Sequence, residues 1–193
     1  MTNAVEIVGK FTEDIREDAV SSCSLHIRSD DLFRNWRRVS LSADFLARYY
    51  SYFFPYREKA RDRMSRENAE NSISFVLNEL VENTAKYSDA RDKAVDIRIW
   101  LLENVLLFKV TNFITAKFGQ SFAAVAREIL EGNPEELYLR RLEKNTEDDG
   151  GGSGLGYLTL INDFGVTLGF KFEKLEEEST RVTVQAMMKC KEA

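Results

Sequence analysis

Helical and strand periodicity follow one another directly in the middle of this chain, and that juxtaposition restricts the fold more than any other feature. Ile73, Val76, Leu77, Leu80, Val81 and Thr84 recur at the three- and four-residue spacing of one helix face, up to about Tyr87. Two strand-like runs come next, 95–101 and 105–112, separated by Glu103 and Asn104, which can turn the chain tightly into a hairpin. A long helix feeding a hairpin fits neither an all-helical bundle nor a sandwich of sheets. It predicts an α+β domain with the hairpin central in its sheet.

The flanking patterns agree. Short alternating runs at 5–11 and 24–28 read as edge or antiparallel strands. Ser42 and Asp44 precede Phe45, Leu46, Tyr49, Tyr50, Phe53 and Phe54, an apolar stripe along a helix that ends near Pro55. A helical pattern over 120–130 is stopped by Gly132 and Asn133, and Pro134 opens another helix through about Lys144. Leu155, Leu158, Thr159 and Ile161 predict a short helix closed by Gly165, followed by strands over 166–173 and 180–187.

With 193 residues, 44% of them hydrophobic, the chain suits a single domain, 1–193, in which only 1–35 reads as an N-terminal strand extension. Acidic residues outnumber basic ones 32 to 27, which argues against a nucleic-acid footprint. Cys23 and Cys190 lack a CxxC spacing, and no secretory segment precedes them, so a reducing, cytoplasmic setting is expected. The longest apolar stretch, 105–110, falls far short of the ~20 residues that span a bilayer, so no membrane is expected.

Two local motifs carry chemistry. In NELVENTAKYS, residues 78–88, Glu79 and Asn83 lie four apart and share a helix face. A carboxylate there can orient or deprotonate a nucleophile, and an amide oxygen is a hard ligand suited to Mg2+ beside phosphates. Alone, such a pair is more often a solvated helix face. In DDGGGSGLGYLTLINDFG, residues 148–165, a glycine-rich turn runs into the short helix. Its backbone can approach a ligand closely, and the helix N-terminus offers unpaired N–H groups to an anion. Alone, the run also fits a flexible connection. A dinucleotide-binding reading is poorer, since that glycine fingerprint follows a first strand and opens a parallel unit.

Together the two motifs, the hairpin between them, the helical insert and the two last strands follow an order that resembles the N-box and second glycine box of the GHKL superfamily of gyrase, Hsp90, histidine kinases and MutL. The resemblance covers about residues 70–187. It implies a Bergerat-type two-layer sandwich, with helices packed on one mixed, mostly antiparallel sheet and ATP held between the layers. Glu79 then corresponds to the acidic residue that activates an acceptor, and Asn83 to the Mg2+ ligand. Lys86 and Tyr87 lie near the phosphates, and Gly152, Ser153, Gly154, Leu155 and Gly156 form the glycine box that closes on them. The first glycine box departs from the pattern. Asn112, in the Val-Thr-Asn-Phe-Ile stretch, stands where an adenine-binding aspartate is expected, which puts nucleotide affinity or base preference in doubt. The segment 115–149 reads as helices rather than as a glycine-rich lid.

Within the superfamily, the lone histidine, His26, lies in a strand pattern outside any phosphoacceptor helix, so a complete sensor kinase is excluded. The chain resembles small bacterial regulators of the SiaB type, which are similar to anti-sigma-factor kinases. That resemblance implies serine or threonine phosphorylation of a small STAS-like or anti-sigma antagonist partner, with ATP and Mg2+ as cofactors, and it leaves a homodimer open. The alternative is a non-catalytic interaction module with weakened nucleotide binding. A free ATPase ranks last, because the superfamily's ATP-driven machines carry dimerising and transducing segments.

Other features read as structural. Arg57, Lys59, Arg61, Arg63 and Arg66 are interleaved with Glu58, Asp62 and Glu67, the pattern of a solvated surface. The helical spacing of Tyr49, Tyr50, Tyr52, Phe53 and Phe54 predicts core packing, as for Trp36 and Trp100. No His or Cys cluster indicates zinc.

Overall fold

A computed structural model of the chain describes residues 4–13, 15, 19–54, 66–88, 93–103, 105–145, 154–175 and 178–189. They form, in order, β1 (Val5–Gly9), β2 (Ser21–Arg28), α1 (Ser29–Arg34), α2 (Trp36–Ser51), α3 (Arg66–Tyr87), β3 (Ala94–Leu101), β4 (Val105–Thr115), α4 (Ala116–Glu131), α5 (Pro134–Asn145), α6 (Leu155–Asn162), β5 (Thr167–Lys174) and β6 (Ser179–Lys189). The strands make one sheet in the order β1-β5-β6-β4-β3-β2. Helices packed on this sheet give a two-layer α+β sandwich.

The sheet is antiparallel at every pairing rather than mixed. The reason is topological: β4 and β5 run in the same direction, but β6 folds back between them and takes the hydrogen bonds of both. The two alternating N-terminal runs, β1 and β2, are the opposite edges of this same sheet.

Strand alternation separates the two faces. Val95, Ile97 and Ile99 of β3, Phe108 and Val110 of β4, Phe170 of β5 and Val184 of β6 are buried on the face toward the helices. α3 supplies the matching stripe, with Ala69, Ile73, Val76, Leu77, Leu80 and Val81 at most 2% exposed. The other face carries charge: Lys171, Glu173 and Arg181 form an ion-pair network, and Asp96 pairs with Arg98. Residues 10–13 and Ile15, leaving β1, run along this face. Gln185, fully buried, fastens them at both ends of its amide: it accepts from the Thr12 N–H at 3.1 Å and donates to the Lys10 carbonyl at 3.0 Å.

Three expectations change. The helix expected from Ser42 begins six residues earlier, at Trp36, and a further short helix, α1, precedes it. Asp30 and Asp31 supply the acidic first turn that favours α1. Of the aromatics expected in the core, Tyr50 and Phe54 are buried, whereas Tyr49, Tyr52 and Phe53 are exposed. A single helix has room against its neighbours for one stripe, and Ala43, Leu46, Ala47 and Tyr50 fill it. Trp100 sits half-buried on the charged face, with the Lys109 ammonium 5.8 Å from its ring centroid. Cys190, residues 57–65, Asn104, expected in the hairpin turn, and the Trp36 side chain, expected in the core, lie outside what the structure describes.

Candidate functional site

A second ridge of α3, beside its buried stripe, carries Phe75, Glu79 and Asn83 at four-residue intervals. This ridge meets α6. The Phe75 ring stacks on Phe164, just past the end of α6, with centroids 4.8 Å apart. At the other end of α6, a Cβ placed on Gly156 would overlap Glu79 Oε2, and would lie 3.0 Å from Glu79 Cδ and 3.7 Å from Asn83 Nδ2. The two contacts fix α6 antiparallel to α3. They set the N-terminal turn of α6 against Glu79 and Asn83, so the two sequence motifs meet in space.

The geometry around α6 depends on glycine in two places. Gly154, its N-cap, has φ 63°, the left-handed region closed to most side chains. A side chain there would also overlap the Arg141 guanidinium and approach Ile129 Cδ1 to 3.2 Å. Gly156 is fixed by the close approach of Glu79. The last residues of the glycine run, Gly154, Leu155 and Gly156, thus bring backbone to where side chains converge. Gly152 and Ser153 lie outside the described residues.

Glu79 is half-buried, and desolvation, reinforced by the nearby Glu82 carboxylate, raises its carboxyl above the ordinary glutamate value. A carboxylate so destabilised is a better proton acceptor near neutral pH. Asn83 donates its Nδ2 to the Glu79 backbone carbonyl at 2.8 Å. That bond uses the amide nitrogen and leaves the Oδ1 lone pairs out of it; an amide oxygen is a ligand type that hard cations accept. Lys86 and Tyr87 complete the last turn of α3, and their side chains are not among those described.

Arg141, from α5, was not singled out in the sequence. Its side chain is 12% exposed, it pairs with Glu128 of α4 at 2.6 Å, and it lies against Gly154. A cation therefore stands beside the N-terminal end of α6. An Arg-Arg pair on a charged helix gives no sequence cue that one of its members is held inward.

Asn112 is placed differently. It is 5% exposed on the helix-facing side of β4, between Val110 and Ile114 and opposite Val182 of β6. Ser88, just past the end of α3, donates to the neighbouring Phe113 carbonyl at 3.5 Å. Asn112 thus lies between the layers at the C-terminal end of α3, beyond Asn83 from the Phe75 contact. Among the described residues, no group of His, Cys, Asp and Glu is arranged to hold a metal by itself, and no helix is long and apolar enough to cross a membrane.

No protein-family model and no curated protein sequence matches the chain. Among solved structures it is similar to a chain of the crystal structure of the SiaB–SiaC complex from Pseudomonas aeruginosa, with a TM-score of 0.62 at 14% identity over 89% of this chain and 92% of that one. Similarity that extends over nearly the full length of both chains at so low an identity is similarity of fold.

Proposed function

We propose that the chain is an ATP-dependent serine/threonine protein kinase of the GHKL, anti-sigma-like type, acting in the cytoplasm on a small STAS-like regulatory protein. One observation carries this reading: Gly156, at the start of α6, is seated beside Asn83 and so close to Glu79 that a Cβ there would displace the carboxylate. This is the juxtaposition of phosphate cradle, proton acceptor and cation ligand that phosphoryl transfer needs.

The residues fit a magnesium-bound triphosphate. Asn83 offers one amide oxygen, which suits a cation that takes few protein ligands and completes its shell with phosphate and water. The α6 N-terminus and Arg141 supply N–H groups and positive charge for anionic oxygens. Bound ATP would supply the transferable phosphoryl group. Glu79 would accept the proton of the incoming hydroxyl, and its raised pKa suits that task. Asn112, between the layers, would accept a hydrogen bond from the adenine amino group, more weakly than a carboxylate does. That the chain acts with a protein partner draws support from the fold neighbour, which comes from a two-protein complex.

A second reading, an interaction module with weakened nucleotide binding, is favoured by Asn112 itself. Calorimetry with ATP and Mg2+, followed by transfer of labelled phosphate to a STAS-like protein encoded beside the chain, separates the two. The kinase reading expects binding, and transfer that Glu79→Ala abolishes. A folded sample that binds no nucleotide at millimolar concentration overturns it and leaves the module.

A further inference from the structure

The helix-facing row of β4 reads Leu106, Phe108, Val110, Asn112, Ile114, every one of them at most 5% exposed. Asn112 is the single polar member, and Val182 of β6 stands across from it. A buried amide in a protein is nearly always hydrogen-bonded. Among the described residues, the Asn112 side chain has no hydrogen-bond partner. Tyr50 Oη is the sole side-chain atom there that is both unpartnered and fully enclosed, so the Asn112 amide is not enclosed and reaches open space between the layers. An unpaired amide in this row costs stability that an apolar side chain would not. The fold gives no use for it; a ligand with a complementary edge does.

The order of groups along α3 says which part of a ligand arrives there. Phe75 closes one end of the ridge on Phe164, Gly156 meets Glu79 and Asn83 in the middle, and Asn112 lies past them at the C-terminal end. A nucleotide with its phosphates at Gly156 therefore has its base on the Asn112 side.

We infer that Asn112 reads the base, and that the site takes 6-oxo purines of the guanine type as well as adenine. This rests on the nucleotide reading above. Adenine presents a donor at its 6-amino group beside an acceptor at N1; guanine presents an acceptor at O6 beside a donor at N1. An amide carries one acceptor oxygen and one donor nitrogen, so it matches the first edge in one orientation and the second after a half-turn about its terminal torsion. No protein partner holds the Asn112 amide in either orientation. A carboxylate has acceptors only: it takes the adenine amino group and repels O6. Asparagine at this place removes the discrimination that an aspartate would impose.

Calorimetry on the full chain with Mg-ATP, Mg-GTP and Mg-ITP tests the inference, ITP having the 6-oxo edge of GTP without its 2-amino group. Both 6-oxo nucleotides should bind within about tenfold of ATP. Asn112→Asp should keep ATP and weaken GTP and ITP by about tenfold or more. A parent chain that binds ATP, but GTP and ITP about a hundredfold more weakly or worse, overturns the inference and leaves the nucleotide reading standing. So does an Asn112→Asp variant with the parent's circular dichroism that binds all three as the parent does. If that variant does not fold, the parent's own ATP, GTP and ITP affinities decide. A folded parent that binds none of the three overturns the nucleotide reading and this inference with it.

Discussion

Gly156 lies against the carboxylate of Glu79, so closely that the smallest side chain at 156 would occupy the place of Glu79 Oε2. Gly156→Ala must therefore push the first turn of α6 away from α3 or turn Glu79 out. The atom in the way is the far end of a flexible side chain, so the stability loss should be small, under about 1 kcal/mol, partly offset by the better helix propensity of alanine. If the proposed function holds, ATP affinity should fall far more steeply, because the proposed phosphate cradle and cation ligand would no longer share a site. Thermal unfolding and calorimetry on the same sample separate the two effects. Unchanged nucleotide affinity in a folded variant would remove Gly156 from the site.

Asn83→Ala deletes the amide oxygen assigned to Mg2+ and the bond to the Glu79 carbonyl. A contact to a charged group is worth about 1.5–3 kcal/mol, so Mg-ATP affinity should fall by roughly ten- to a hundredfold. ATP titrated in the presence of EDTA should bind the variant and the parent alike. A variant weakened equally with and without the cation would show that Asn83 serves structure rather than metal.

Glu79 should make stability depend on pH. Its carboxyl is raised by desolvation and by Glu82, so the folded chain holds the proton more tightly than the unfolded chain does. Unfolding free energy therefore declines as pH rises from the ordinary glutamate range through the higher folded value, and the deficit is complete above that value. Glu79→Gln should be more stable than the parent at neutral pH, and this advantage should vanish in acid. Urea melts across that range measure it. A constant difference between the two proteins at all pH values would contradict the burial of charge at Glu79. The same substitution should abolish phosphate transfer, giving a protein that is more stable and inactive.

Gln185→Ala leaves the Lys10 carbonyl and the Thr12 N–H without their protein partner. Both groups lie near the surface and water replaces part of the loss, so the cost should be about 1–2 kcal/mol. Hydrogen exchange should quicken at residues 10–13 and leave α3 and α6 unchanged. Faster exchange spread over α6 would mean that the strap and the nucleotide site are coupled.

The parts of the molecule governed by period were legible in the sequence. The stripe from Ile73 to Thr84, the hairpin strands β3 and β4 and the proline and glycine boundaries of α5 and α6 each depend on local spacing, and each falls within a few residues of its expected place. The i, i+4 relation of Glu79 and Asn83 was equally visible. What spacing does not encode is which neighbour a face meets. Tyr49 and Tyr50 are adjacent aromatics with equal propensity, and only the docking of α2 on α3 buries one and exposes the other. Arg141 is drawn inward by Glu128 and Gly154, residues distant from it in sequence. The antiparallel character of the whole sheet follows from where β6 inserts, a long-range choice.

The two edges of the sheet belong to consecutive strands. β1 closes one side and β2 the other, and the residues leaving β1 are pinned by Gln185 at mid-sheet. Residues 10–13 thus lie as a strap across one face of the sheet. A pull on the N-terminus first peels β1 from β5, and the Gln185 bonds to Lys10 and Thr12 should then be the next point of resistance. The two edges, which in most open sheets fray separately, are here linked by one short length of backbone.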